Sequence, residues 1–376
     1  MKIIVIVLLL KFFYVAVGFV ANQILPENMI ANKNCSVVGI FQRNDSYWYE
    51  KIVVNGYPKV TEKEELGVCG HYGAYVQSSW AFFPAYPILI KTVSTVTGFE
   101  FPLAAFVISF LLSIAAFCGF YLFLKEFWCN AQVAFFSTVI LMLWPFHYYF
   151  SMYYTEALFI ATTMWGFWAV NRKKWWLVAI SVVIITLVRP NGLLVAFAMY
   201  LFSLEQMGVI NGLKFSFSKI NKEVIIKSFL FLLGPLTLAF YCLYQYQMTG
   251  FWNAYAIAQI GWCRTWVFPL KVLFTQHEYS LYFNSLYAVI AIVFAVLNIK
   301  KLSLSFNIVI WVGLLLPLSY GSTVSVPRFI SVIFPLWYIV GLYLYKLPYR
   351  KLIYVSLLSA HAIVFIFWII ENPFSY

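Results

Sequence analysis

The sequence predicts an all-α, polytopic membrane protein of about eleven transmembrane helices, with interfacial helices in its first outer loop. Three observations carry that prediction. The 376 residues are 63% hydrophobic and only 10% charged, whereas a soluble domain carries about a quarter charged residues. Apolar runs near the length needed to cross a bilayer recur to the C-terminus, and they are continuous, unlike the alternating strands of a transmembrane barrel. Finally, basic residues collect in every second connection. The net charge of +12 therefore reports orientation in a membrane, and no nucleic-acid partner is expected.

The spans are expected at Ile3–Val20, Pro102–Leu124, Ala131–Phe150, Thr155–Val170, Trp175–Val188, Gly192–Leu204, Ser228–Tyr246, Leu281–Leu297, Leu304–Tyr320, Phe329–Tyr345 and Leu352–Ile370. With the N-terminus in the cytoplasm, the inner connections are "KEFWCN", "NRKKWW", Glu205–Lys227, "IKKLSLS" and "KLPYRK". They hold most of the lysines. The short outer connections hold Arg189, Arg264, Lys271 and Arg328. The first span could instead be a signal peptide, because "VGFVA" ends in small residues. Its length and Lys11 favour a span that is retained. The short runs on either side of "LVRPNGLL" could form one helix, but Lys300, Lys301 and "KLPYRK" would then move outside. A turn at Arg189–Asn191 is expected, since Pro190 disfavours helix at the residue before it.

One apolar stretch fits no span. "AFFPAYPILIKTVSTVTG" (Ala81–Gly98) lies between two outer segments and contains Pro84 and Pro87. It reads as an amphipathic segment in the outer interface. The chain is expected to be a single domain, residues 1–376, with residues 21–100 as its outer loop. The six cysteines have no metal-like spacing. Cys35 and Cys69 are a possible pair if their loop faces an oxidising compartment, while Cys118, Cys129 and Cys242 read as ordinary membrane-helix residues. Asn34 and Asn44 head glycosylation sequons.

The polar outliers fall on one side. Asp45 follows the first span, His147 sits near the outer end of the third, and Glu156 begins the fourth. Arg189 and Asn191 form a turn, Arg264 lies in the Gln247–Ser280 loop, and Arg328 starts the tenth span. Ionisable groups at membrane depth are costly, so they are paired or functional. Blander roles exist for each: Asp45 as a helix N-cap, Glu156 and Arg189 as a mutual pair, Arg328 snorkelling to headgroups, His147 as structure. Two function classes fit: an enzyme with its site at the outer face, or a transporter or flippase of lipid-linked or small polar substrates. Transporters favour repeats and broken helices near the midplane. Here no repeat is visible and the polar residues stand at span ends.

In order, "RNDSYWYEKIVVNGYP", "SSWAFFPAYPILIK", "YYTEALF", "VRPNGLL" and "VPRFISVIFPLW" resemble signatures of the PIG-V family, the second GPI mannosyltransferase and its prokaryotic relatives within the GT-C superfamily. The resemblance runs from about Arg43 to Trp337. It implies a GT-C type fold and transfer of mannose, or a similar hexose, from a polyprenyl- or dolichyl-phosphate donor to the hydroxyl of a glycolipid or glycan acceptor. It implies a lumenal or periplasmic site, with Asp45 as catalytic base and two interfacial helices at Ser46–Gly56 and Ala81–Lys91. Family members carry Trp before the aspartate, where this chain has Asn44. The compact chain points to a bacterial inner membrane, or to the endoplasmic reticulum in a eukaryote. Arg189, Arg264 and Arg328 are candidates for the donor phosphate, with Glu156, Asn191 and His147 as supporting polar groups. Tyr47, Trp48, Trp80 and Trp262 are candidates for lining sugar or lipid. With no DxD pair and no histidine cluster, no metal or cofactor is expected.

Overall fold

A computed structural model describes residues 1–24, 38–70, 75–128 and 130–375. It is helical almost throughout. In order, α1 (Lys2–Ile24) leads to the short α2 (Asp45–Asn55) and α3 (Ala85–Thr97). There follow α4 (Phe101–Phe123), α5 (Ala131–Leu143), α6 (Glu156–Asn171), α7 (Trp175–Val188) and α8 (Gly192–Gln206). Next come α9 (Lys222–Phe231), α10 (Leu233–Thr249), α11 (Ala254–Ala258) and α12 (Pro269–Val272). The last are α13 (Tyr279–Asn298), α14 (Leu304–Leu318), α15 (Val326–Ser331), α16 (Phe334–Tyr345) and α17 (Arg350–Ile369). Helix stands at each of the eleven expected spans. Among the described residues, five helical stretches are long and apolar enough to cross a membrane: Lys2–Ala21, Phe101–Trp128, Lys222–Thr249, Tyr279–Lys301 and Arg350–Ile369. Shorter apolar helices fill in between them. The chain is an all-helical, multi-pass membrane protein.

Small residues let the central helices approach. Ala105, Ser109, Ser113, Ala116 and Gly119 are buried along one stripe of α4, which packs on α6. Without a hydrophobic drive between helices in lipid, such stripes and interhelical hydrogen bonds hold a bundle together. Ser113 Oγ donates to Phe150 O at 2.5 Å. The first helix is tied in by polar contacts: Lys11 Nζ donates to Ser151 O at 2.9 Å, and Tyr14 OH is hydrogen-bonded to His361 Nε2 at 2.6 Å.

At one end of the bundle, the connecting loops build a small second core. Val60, Leu66, Trp80, Ala254, Ile257 and Ala258 are buried together. Here the expected cysteine pair is corrected. Cys69 is bonded to Cys263, 194 positions away, and Cys35 lies outside the described residues. Cys35 and Cys69 share one loop, but folding brings the Gln247–Ser280 segment and its Cys263 onto that loop. The expected interfacial helices are α2 and α3, the second starting only after Pro84.

Candidate active site

Four short pieces of local logic bring the charges together. Asp45 is the first residue of α2. That helix starts where Ser46 closes a turn on Arg43: Arg43 N donates to Ser46 Oγ at 2.6 Å, and Ser46 N donates to Arg43 O at 3.0 Å. It ends at Gly56, whose φ of +74° costs glycine little. Its buried face is Ser46, Tyr49, Ile52 and Val53, a helical stripe that sets Tyr49 one turn beyond Asp45. Asn44, in front of it, has φ +47° and makes no side-chain cap. Asparagine tolerates positive φ better than tryptophan.

Glu156 opens α6. The run before it is fastened to the Asp45 segment, with Tyr153 N donating to Phe41 O at 3.2 Å and Tyr154 OH to Arg43 O at 2.8 Å. Arg189 follows α7. Pro190 forbids helix there, and Arg189 is extended, φ −154° and ψ 159°. Its Nε donates to Thr155 Oγ1 at 2.7 Å, and its Nη2 to Glu156 Oε1. The next helix can follow at once because Gly192 has no Cβ: one would stand 1.8 Å from Ile185 O. Arg328, on the short α15, bridges two carboxylates. Its Nε donates to Glu156 Oε1 and its Nη1 to Asp45 Oδ2 at 2.7 Å. The guanidinium lies over the Tyr154 ring, 4.2 Å from its centroid.

Asp45, Arg189, Arg264 and Arg328 line one cavity, with Asn191, Tyr49 and Trp262 also on its wall. Exposure separates the two carboxylates. The Glu156 side chain is 0% accessible, while Asp45 is 29% accessible. Glu156 is therefore a buried counter-ion, and Asp45 is the carboxylate that a solute can reach. Asp45 Oδ1 accepts no hydrogen bond among the described residues. Arg264 differs from the other two arginines. Its Nη1 donates to the neutral amide oxygen of Gln259, and its guanidinium lies 5.8 Å from the Tyr320 ring centroid. No carboxylate pairs with it among the described residues. Gln259 is itself held, its Nε2 donating to Ala81 O at 3.1 Å.

Five non-glycine residues have positive φ among those described. Three of them border this cavity's charged groups: Asn44 precedes Asp45, Cys263 precedes Arg264, and Ser325 caps the helix of Arg328. Strain of this kind persists only where surroundings over-determine it, and it clusters at functional sites.

Other expected residues lie elsewhere. His147 is buried, edge-on to Trp337 at 4.5 Å between centroids, with Nδ1 against Leu141 O, and does not line the cavity. Trp80 is fully buried in the small second core, its indole N–H donating to Pro58 O at 3.0 Å. Trp48 stands behind the wall, packed against Phe82 and Trp262. Tyr47 is exposed on the other side of α2. Tyr49, Tyr255, Gln259 and Tyr320 line the cavity without having stood out in the sequence. Only Tyr49, at helical spacing from Asp45, carried a readable signal.

No protein-family model and no curated protein sequence matches this chain. Among solved structures it is similar to the crystal structure of the Archaeoglobus fulgidus oligosaccharyltransferase complexed with zinc and sulfate, at 12% identity and a TM-score of 0.42. The similarity covers 87% of this chain and 48% of the other, so this chain spans about half the length of that protein.

Proposed function

We propose that this protein is a GT-C type glycosyltransferase of the outer membrane face. It moves mannose, or a similar hexose, from a polyprenyl-phosphate donor to a hydroxyl of a glycolipid or glycan. The observation that carries this reading is a reachable carboxylate, Asp45, in one cavity with an arginine, Arg264, that no carboxylate neutralises. A sugar hydroxyl is a poor nucleophile, and a positioned carboxylate helps by taking its proton as attack develops. The acceptor oxygen bonds to the anomeric carbon, the bond from that carbon to the phosphate oxygen breaks, and the proton passes to Asp45. The lipid phosphate leaves as an anion, held by charge-assisted hydrogen bonds from Arg264. A single displacement inverts the anomeric centre. Arg328 holds Asp45 by Oδ2 and leaves Oδ1 for the hydroxyl.

The placement on the outer face is supported by the Cys69–Cys263 disulfide, because such bonds persist in oxidising compartments. Both cysteines lie in loops that the lysine distribution also puts outside. Cysteine labels at Asn211–Lys219 should react only from the cytoplasm, and labels at Val60–Glu65 only from outside. Labelling of both from one side contradicts this placement.

Mass spectrometry of lipid-linked glycans from cells with and without the protein tests the reaction. A glycan longer by one hexose, present only with the protein, is the expected result. An unchanged glycan profile, together with substrate flux in vesicles that survives Asp45→Asn, overturns the enzyme in favour of a transporter.

A further inference from the structure

Arg264 and Trp262 reach the cavity from a segment with an unusual construction. Between them stands Cys263, with φ +54°, a conformation that residues other than glycine rarely adopt. The backbones around it are stacked too closely for side chains. A Cβ on Gly261 would lie 2.3 Å from Val76 O, and one on Gly67 would lie 2.8 Å from Gly261 N. Gln77 Nε2 donates to Gly261 O at 3.2 Å. The covalent tie is the Cys69–Cys263 bond, which fastens this segment to the hairpin Val68–Cys69/Tyr75–Val76. Trp262 then packs edge-on against Trp48 and Phe82, at 5.6 and 5.7 Å between centroids. Arg264 turns to Gln259.

We propose that the Cys69–Cys263 disulfide is a positioning bond for Arg264, so that binding of a lipid-linked phosphate at the rim depends on its oxidised state. The proposal rests on Arg264 as the phosphate-binding residue. Trp262 and Arg264 flank a strained residue, so relaxation of φ at Cys263 turns one relative to the other. The bond prevents that relaxation. Both cysteines are exposed, so a soluble dithiol can reach them. Dithiothreitol would give two electrons and two protons, leaving two cysteine thiols and its own cyclic disulfide.

The test is titration of undecaprenyl phosphate into the detergent-solubilised full chain, by native mass spectrometry. The forms compared are wild type oxidised, reduced and reoxidised, Cys69→Ser, Arg264→Ala, and the two substitutions together. Hydrogen bonds to a charged group correspond to about tenfold to a hundredfold in affinity. Reduced wild type, Cys69→Ser and Arg264→Ala should each bind that much more weakly. Reoxidation should restore wild type, dithiothreitol should leave Cys69→Ser unchanged, and the double variant should bind no worse than Arg264→Ala. Weak binding by Arg264→Ala with undiminished binding by the reduced wild type overturns the positioning role and leaves the phosphate reading standing. Additive losses in the double variant also overturn it. Wild-type binding by Arg264→Ala removes the phosphate reading, and this inference with it. If Cys69→Ser does not fold, reversible reduction of the folded wild type decides the question.

Discussion

On the inner wall of the cavity, two carboxylates face two guanidiniums, and the central ones, Glu156 and Arg328, are buried. On the outer rim, Arg264 has the amide of Gln259 and the ring of Tyr320, and no carboxylate among the described residues. The two regions are also built differently. The inner wall is made of helix ends, with Arg189 just after α7 and the other charges in the first turns of their helices, held by packing and by hydrogen bonds such as Tyr154 to Arg43. The rim is made of loop backbone, held by a disulfide and by glycines. The difference teaches how to read charge in a membrane protein. A buried ion needs a partner, and a matched set costs more to break than it contributes to stability. An anionic substrate gains most from the charge that nothing neutralises. Of the three arginines that the sequence offered for a phosphate, the structure separates two that are committed to carboxylates from one that is not.

Breaking the inner wall should have the largest effect. Glu156→Ala leaves two guanidiniums facing each other without their shared counter-ion, and loss of one partner from a buried ionic set costs about 3–5 kcal/mol. Thermal unfolding in detergent should show that loss, and Arg189→Ala combined with Glu156→Ala should be less than additive. A Glu156→Ala protein as stable as wild type would break the distinction between wall and rim. The rim should respond in the opposite manner. Arg264→Ala should leave the unfolding free energy within about 0.5 kcal/mol of wild type, as for substitutions away from buried networks. Its KM for the donor should rise by about tenfold to a hundredfold. Loss of folding with unchanged KM would exchange the roles of the two regions. The smallest effect belongs to Glu50→Gln in the same outer segment. Gln42 Nε2 donates to Glu50 Oε2 at 2.5 Å, so this side chain is bonded and not merely solvated. Glutamine keeps the acceptor oxygen, and transfer should stay within about twofold of wild type, as at positions outside the reaction.

The helical framework was legible because bilayer thickness sets span length. The turn at Arg189–Asn191 was legible from the placement of the later lysines together with Pro190. Gathering the polar outliers at one interface put Asp45, Arg189, Arg264 and Arg328 on one side of the protein, but it also included His147, which does not line the cavity. What stayed hidden was pairing across long separations. Arg328 meets Asp45 over 283 positions, and Cys69 meets Cys263 over 194. No local pattern encodes such contacts. The tryptophans show the same limit. Trp80 and Trp262 are equally aromatic and both lie in connecting loops, yet one fills the second core and the other lines the cavity. Burial decides between them, and burial is a property of the assembled fold.

The most direct test of the account is transfer kinetics with purified Asp45→Asn and a mannosyl phosphopolyprenol donor. Asparagine keeps the size of the side chain and an acceptor for Arg328, but not the basic carboxylate. General-base contributions are typically about a hundredfold to ten-thousandfold. The account predicts that kcat falls by at least about a hundredfold while donor binding and thermal stability stay near wild type. Transfer by Asp45→Asn at the wild-type rate would contradict it.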